Sequence, residues 1–140
     1  MKFPWRSDKG RVASENAGAS HTSEIVVESR VVPGVRFTIA KISFARRMEL
    51  MRQVRDLARR TSFLAASDDA GEQMDAALLR AEIERVYVMW GIKAVAGLAV
   101  DGKAAGPELL AEAGPENLFQ EALAVVRRET GLSEEERKNS

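Results

Sequence analysis

Across Ile42-Ser43-Phe44 the apolar residues of this chain change their spacing, and that switch limits what it can fold into. In VVPGVRFTIAKISFARRMELMRQVRDLARR, residues 31–60, Val35, Phe37 and Ile39 alternate with Arg36, Thr38 and Ala40, the two-residue period of a strand. Beyond Ser43 the period becomes helical. Phe44, Met48, Leu50, Met51, Val54, Leu57 and Ala58 fall within about half the circumference of a helical wheel, which predicts a broad core-facing stripe. Ser43 has the chemistry of an N-cap. The helix is expected to extend or fray over Thr61–Ala66 and to break at Ser67-Asp68-Asp69-Ala70-Gly71.

Upstream, Ile25–Val32 is β-branched and mostly apolar, and Pro33-Gly34 is a turn signal. The two runs read as a β-hairpin over residues 23–41. A two-stranded hairpin is marginal alone, so this one is expected to lie on the helices or to join strands of another chain. Downstream, residues 72–90 predict a second helix with two apolar stripes. Met74, Ala77, Leu78, Ala81, Val88 and Met89 form one; Leu79, Ile83, Val86 and Trp90, at i, i+4, i+7 and i+11, form the other. A helix apolar on two sides is buried on two sides. Either it is the central helix of a bundle, or one stripe belongs to a partner. Gly91 and Gly97 bracket a short apolar stretch, and residues 98–103 predict an extended segment with an Asp101-Gly102 turn. Pro107 and Pro115 suit helix starts, giving helices over 107–113 and 115–130, the latter with Leu118, Phe119, Ala122, Leu123, Val125 and Val126 inward and Gly131 at its C-terminal end.

The expected fold is therefore mainly α with a small N-terminal β-hairpin (α+β), a compact domain of three to four helices over residues 23–130. Residues 1–22 lack any period and predict a flexible arm, with Phe3 and Trp5 its only large aromatics; residues 131–140 predict a charged tail. At 140 residues the chain is long enough to bury a core. The opening MKFPWRSDKGRV has no apolar run suited to a signal peptide, and no stretch approaches a membrane span, so a soluble, cytoplasmic chain is expected.

Composition narrows the chemistry. The 140 residues contain no cysteine and one histidine, which removes disulfides, thiolate metal sites and a Cys nucleophile. His21 reads as a surface residue, Asp68-Asp69 as a loop or a helix N-terminus, and Asp101-Gly102 matches a calcium loop in two positions alone. No catalytic residue, cofactor or metal site is assigned, and the chain is not expected to be an enzyme.

Lys plus Arg number 21 and Asp plus Glu 21, so no global field favours nucleic acid. The first helix is nonetheless rich in arginine. On the wheel Arg46 and Arg60 lie on one side, Arg52 and Arg59 on another, and Arg47 and Arg55 inside the apolar half. A groove-reading helix gathers its cations on one face, so nucleic-acid binding is the secondary reading. Arg47 and Arg55 either pair with carboxylates inside the domain, Glu82 or Glu84, or rim a groove for an acidic partner segment; internal pairing is the expectation.

With these residues in place, the chain resembles the tail assembly chaperones of long-tailed bacteriophages and prophages. The likeness lies in GVRFTIAKISFARRMELMRQ, where a strand of form V-x-F-x-I and a Ser step lead into an Arg-containing apolar helix. It lies also in YVMWGIKAVAGLAVDGKAAGPELL, with its Trp-Gly step, its Asp-Gly segment and a Pro-opened helix, and in GPENLFQEALAVVRRETGLSEEERKNS as a closing helix with a charged end. It covers residues 28–140. The resemblance implies a non-catalytic helper that binds the apolar, helical tape measure protein and recruits tail tube protein before the tube polymerises. It implies as a further partner a longer, frameshifted form of the chain, with Lys138-Asn139 compatible with a slippery A-rich run; association with copies of itself is left open by the sequence. No membrane partner is implied. The candidate partner-binding residues are Met48, Met51, Leu79, Ile83, Val86, Trp90, Arg47 and Arg55, the methionines because their flexible side chains adapt to varied helical registers. The alternatives are a small nucleic-acid-binding regulatory protein and a structural tail or head–tail joining component of the virion.

Overall fold

The computed structural model describes residues 18–131. The arm expected over 1–22 and the tail expected over 131–140 lie outside them, apart from residues 18–22 and Gly131. The described residues form an α+β domain: β1 (Glu24–Glu28), β2 (Arg36–Ala40), α1 (Phe44–Ala65), α2 (Ala70–Gly91), β3 (Ile92–Ala96), β4 (Ala99–Val100), β5 (Lys103–Ala104), α3 (Pro107–Ala113) and α4 (Glu116–Glu129).

The hairpin expected from the alternation is present, with Ile25 opposite Ile39 and Val27 opposite Phe37. Strand β1 stops at Glu28, short of the expected Val32, because Ser29 turns the chain. Its Oγ accepts from the Val31 and Val32 amides and donates to Glu121 Oε1 of α4 at 2.5 Å, while the Arg30 amide donates to Glu121 Oε2 at 2.7 Å. One carboxylate thus anchors the β1–β2 loop to the last helix.

The hairpin's missing neighbour comes from the same chain. Residues 92–96 form β3, antiparallel to β2, completing a sheet of order β1-β2-β3. The register shifts between Thr38 and Ile39, whose partners are Ala94 and Ile92, so Lys93 is the extra residue of a bulge. Its Nζ lies 2.8 Å from Glu24 Oε2 on the far edge strand. Both groups are half exposed, so the pair is worth only about 0–1 kcal/mol.

Two glycines permit the path into and out of β3. Gly91 ends α2 against α4, where an added Cβ would lie 2.6 Å from Val126 Cγ1. Gly97 takes φ +82°, and a Cβ there would run into the Gly34 carbonyl oxygen. Beyond it, Asp101 (φ 51°) and Gly102 (φ 80°) are both left-handed, the requirement of a two-residue type I′ turn, and close the β4–β5 hairpin.

Phe37 and Ile39 are fully buried, and with Val35, Val88, Ile92, Leu110, Leu118, Ala122 and Val126 they make the core between the sheet and α2, α3 and α4. The inward face expected for α4 is observed, with Phe119 half buried at its edge. Thr130 caps that helix through its own Oγ1, which donates to the Val126 carbonyl at 2.7 Å, and Gly131 follows with φ +76°.

Helix α1 is the outlier. It spans 22 residues and lies against α2 as an antiparallel hairpin, yet Leu50 and Thr61 are its only buried residues. Ser43 caps it as expected, its Oγ accepting from the Arg46 amide at 3.2 Å. The hairpin loop is closed by side chains: Asp69 accepts from the Glu72 amide at 2.9 Å, Ser67 Oγ donates to Glu72 Oε1, and Gln73 Nε2 donates to the Ala65 carbonyl at 2.9 Å. These bonds satisfy backbone groups that helix ends leave open. The helix does not fray over 61–65.

Candidate partner-binding surface

Along α1, Leu50, Val54, Leu57, Thr61 and Leu64 follow helical spacing and are buried or half buried. They form the side that meets α2. The stripe expected from the wheel is therefore two faces, of which one is covered. Phe44, Met48 and Met51, at i, i+4 and i+7, lie on the other; Phe44 is 82 % and Met51 55 % exposed, and Met48 and Ala58 are exposed as well. Half a helix circumference spans more than one neighbour can cover, and α1 has one main neighbour.

On α2 the expected division of labour is reversed. Leu79 and Trp90 are 6 % and 7 % exposed, while Ile83 and Val86 are half buried against the core. This stripe, proposed for a partner from sequence, lies within the chain, where α1 covers it. Tyr87, Val88 and Gly91, buried on another side of the helix, join the core with α4. The central-helix reading is the one observed, and it removes Leu79, Ile83, Val86 and Trp90 from the accessible candidates. Met74 and Leu78 of the other stripe are instead 67 % and 61 % exposed, and Ala77 and Ala81 beside them are exposed.

Arg47 and Arg55 also differ from expectation. Both are exposed, and the internal pairs expected with Glu82 or Glu84 are not made. Arg55 Nε lies 3.5 Å from the carboxylate of its neighbour Asp56, in open solvent. An arginine on the outer side of α1 has no desolvation to offset, which is why no internal partner is needed.

Arg46, one of the scattered cations on the wheel, does meet the interior. Its Nη2 donates to the Trp90 carbonyl at 2.6 Å, and its guanidinium carbon stands 4.4 Å from the centroid of the Trp90 ring. Helical spacing alone carries no signal for such a contact, because its partner is 44 residues away.

Other surfaces offer less. A cleft of about 410 Å³ between α2, α3 and α4 is floored by Leu110 and Phe119 and edged by Glu84, Arg85, Glu116 and Gln120. Arg85 pairs there with Glu112 at 3.2 Å, both side chains well exposed. His21 is exposed. Among the described residues no group of three His, Cys, Asp or Glu is placed to hold a metal ion, and no helix is long and apolar enough to cross a membrane.

What stands out is that both helices of the α1–α2 hairpin leave large apolar side chains facing solvent: Phe44, Met48, Met51 and Phe63 on α1, Met74 and Leu78 on α2. No protein-family model matches the chain, and no curated protein and no solved structure is found to be similar to it.

Proposed function

We propose that this chain is a non-catalytic assembly factor that holds an apolar helical segment of another polypeptide on the outer side of its α1–α2 hairpin. In its specific form, it is a tail assembly chaperone of a long-tailed bacteriophage that works in the cytoplasm of the bacterial host, binds the tape measure protein and helps recruit tail tube subunits. The observation that carries the reading is the solvent exposure of Phe44, Met48, Met51, Met74 and Leu78 along two adjoining helices. Each such side chain contributes about 1.5–3 kcal/mol when it moves from water into an apolar contact. A helix laid on these faces recovers that free energy, and a helical client supplies matching anchors at i, i+3, i+4 and i+7. Methionines at three of the five positions tolerate more than one client register. The strand–Ser–Arg–helix run at residues 34–53 and the Trp-Gly to Asp-Gly run at 87–110 support the specific form through their resemblance to that family.

The test is co-expression with the tape measure protein from the same genome. Co-purification of the two, with tape measure protein insoluble when expressed alone, is the expected result. Tape measure protein that is equally soluble without this chain, or incorporation of this chain into finished particles, sinks the chaperone reading.

A further inference from the structure

On α1 the charged residues that share the arc of Phe44, Met48 and Met51 are all arginines. With about 100° of rotation per residue, Phe44, Met48, Met51, Arg55 and Ala58 lie within roughly 80° of one another, and Arg47, Arg52 and Arg59 widen this to an arc of about 140°. All eight residues are exposed. The two acids of α1, Glu49 and Asp56, lie outside the arc, and the one contact between them and it, Asp56 with Arg55 at 3.5 Å, is solvent-exposed and weak. Arg55 continues the line of Met48 and Met51, one turn further along.

From this we infer that the face of α1 formed by Phe44, Met48, Met51 and Arg55 receives an amphipathic helix whose apolar side is bordered by carboxylates. The inference deepens the proposed function by giving the client's chemistry, and it rests on that reading for the client's being a protein. Three apolar side chains over two turns anchor the incoming helix, and the arginines beyond them select acid over base. Arg offers two-pronged donation to a carboxylate and sheds water more easily than Lys, which suits it to an interface. The position of Arg55 speaks against a lipid surface. A membrane-bound helix keeps its cations at the borders of its apolar face, whereas Arg55 stands in the middle of this one. Nucleic acid matches the arginines but leaves Phe44, Met48 and Met51 without a purpose, because phosphates gain nothing from them. A second copy of the chain is the weaker match among proteins. The outer face of α2 bears Asp75 and Glu82 at its border, but Arg85 lies in line with Met74, Leu78 and Ala81 and brings like charge towards the α1 arginines.

Three labelled peptides of equal length and helical pattern test this against the full chain by fluorescence anisotropy. Each carries Leu on one side, bordered by Glu, Gln or Lys. The Glu peptide is expected to bind at least tenfold more tightly than the Gln peptide at low salt and the Lys peptide least. That preference should collapse towards 1 M salt, where the screening length falls to about 3 Å. Met48→Ser with Met51→Ser should lose the Glu peptide while keeping the helical circular dichroism of the parent. Arg52→Gln, Arg55→Gln and Arg59→Gln together should abolish the preference for Glu over Gln.

Equal binding of the three peptides, or binding of none, overturns the inference. So does sedimentation with anionic vesicles or salt-sensitive retention of DNA that depends on the same arginines. Concentration-dependent oligomers that Met48→Ser with Met51→Ser dissolves overturn it as well, in favour of a second copy. Tape measure protein captured without any charge dependence keeps the proposed function and removes this inference; a Glu-peptide preference without tape measure capture does the reverse.

Discussion

Arg46 lies over the indole of Trp90, its guanidinium carbon 4.4 Å from the ring centroid, and its Nη2 donates to the same residue's carbonyl oxygen at 2.6 Å. That carbonyl belongs to the last turn of α2, where helix carbonyls lack intrahelical partners and the helix end carries partial negative charge. A single side chain from the first turn of α1 therefore caps α2, stacks on its last aromatic residue and fixes how the two helices meet. A hydrogen bond from a charged group contributes about 1.5–3 kcal/mol and a cation–π contact at a partly buried site about 1 kcal/mol. Arg46→Ala is expected to lower the free energy of unfolding by about 2–4 kcal/mol in urea titrations, and Arg46→Lys, which keeps the charge but not the planar fork, by less. No loss with Arg46→Ala removes this account of the contact.

The inner and outer residues of the hairpin should separate cleanly in mutagenesis. Ile83→Ser with Trp90→Ala removes core contacts and opens a cavity; Trp→Ala alone in a core costs about 3–5 kcal/mol, so this variant is expected to unfold or to melt far below the parent. Met48→Ser with Met51→Ser changes exposed positions, where substitutions stay within about ±0.5 kcal/mol. Thermal melts of the two double variants check the prediction. Similar melting of both would show that the faces are not as distinct as Trp90 and Met51 make them.

Gly97 and Gly102 both take positive φ, but only one is crowded. An alanine at 102 meets open space and costs about 1–2 kcal/mol through its backbone conformation alone. An alanine at 97 adds a collision with the Gly34 carbonyl oxygen, in backbone that cannot swing aside. Gly97→Ala is expected to destabilise clearly more than Gly102→Ala in denaturant titrations, and Gly102→Asn to recover part of the latter's loss, since Asn tolerates the left-handed region.

Glu121 should couple to Ser29. Its two oxygens accept from Ser29 Oγ and the Arg30 amide, and removing it leaves both donors of the β1–β2 loop without that partner. Glu121→Ala is expected to cost about 1–3 kcal/mol. Ser29→Ala should cost at least as much, since its Oγ also accepts from the Val31 and Val32 amides, and the double variant should cost less than the sum, because the two substitutions remove one shared bond. Additivity in that cycle would mean that the carboxylate acts on the loop by some other route.

Local pattern in the sequence was enough to specify most elements. Alternation at Val35, Phe37 and Ile39 marked β2, Ser43 the start of α1, Pro107 and Pro115 the last two helices, and Asp101-Gly102 a tight turn, because each signal acts over a few neighbouring residues. Strand β3 is not legible as a strand because IKAVA, though bracketed by Gly91 and Gly97, is short and does not alternate cleanly, and its strand character comes from pairing with β2. What tertiary structure alone decided was which apolar stripes face inward. Leu79–Trp90 and Met74–Leu78 are equally apolar by sequence; the first is buried because α1 lies on it, and the second is exposed because among the described residues nothing does. The same holds for the arginines, since Arg46 and Arg47 are adjacent in the chain but only Arg46 faces the end of α2. Helical periodicity defines the faces of a helix, but only the packing of the other helices determines which of them water still reaches.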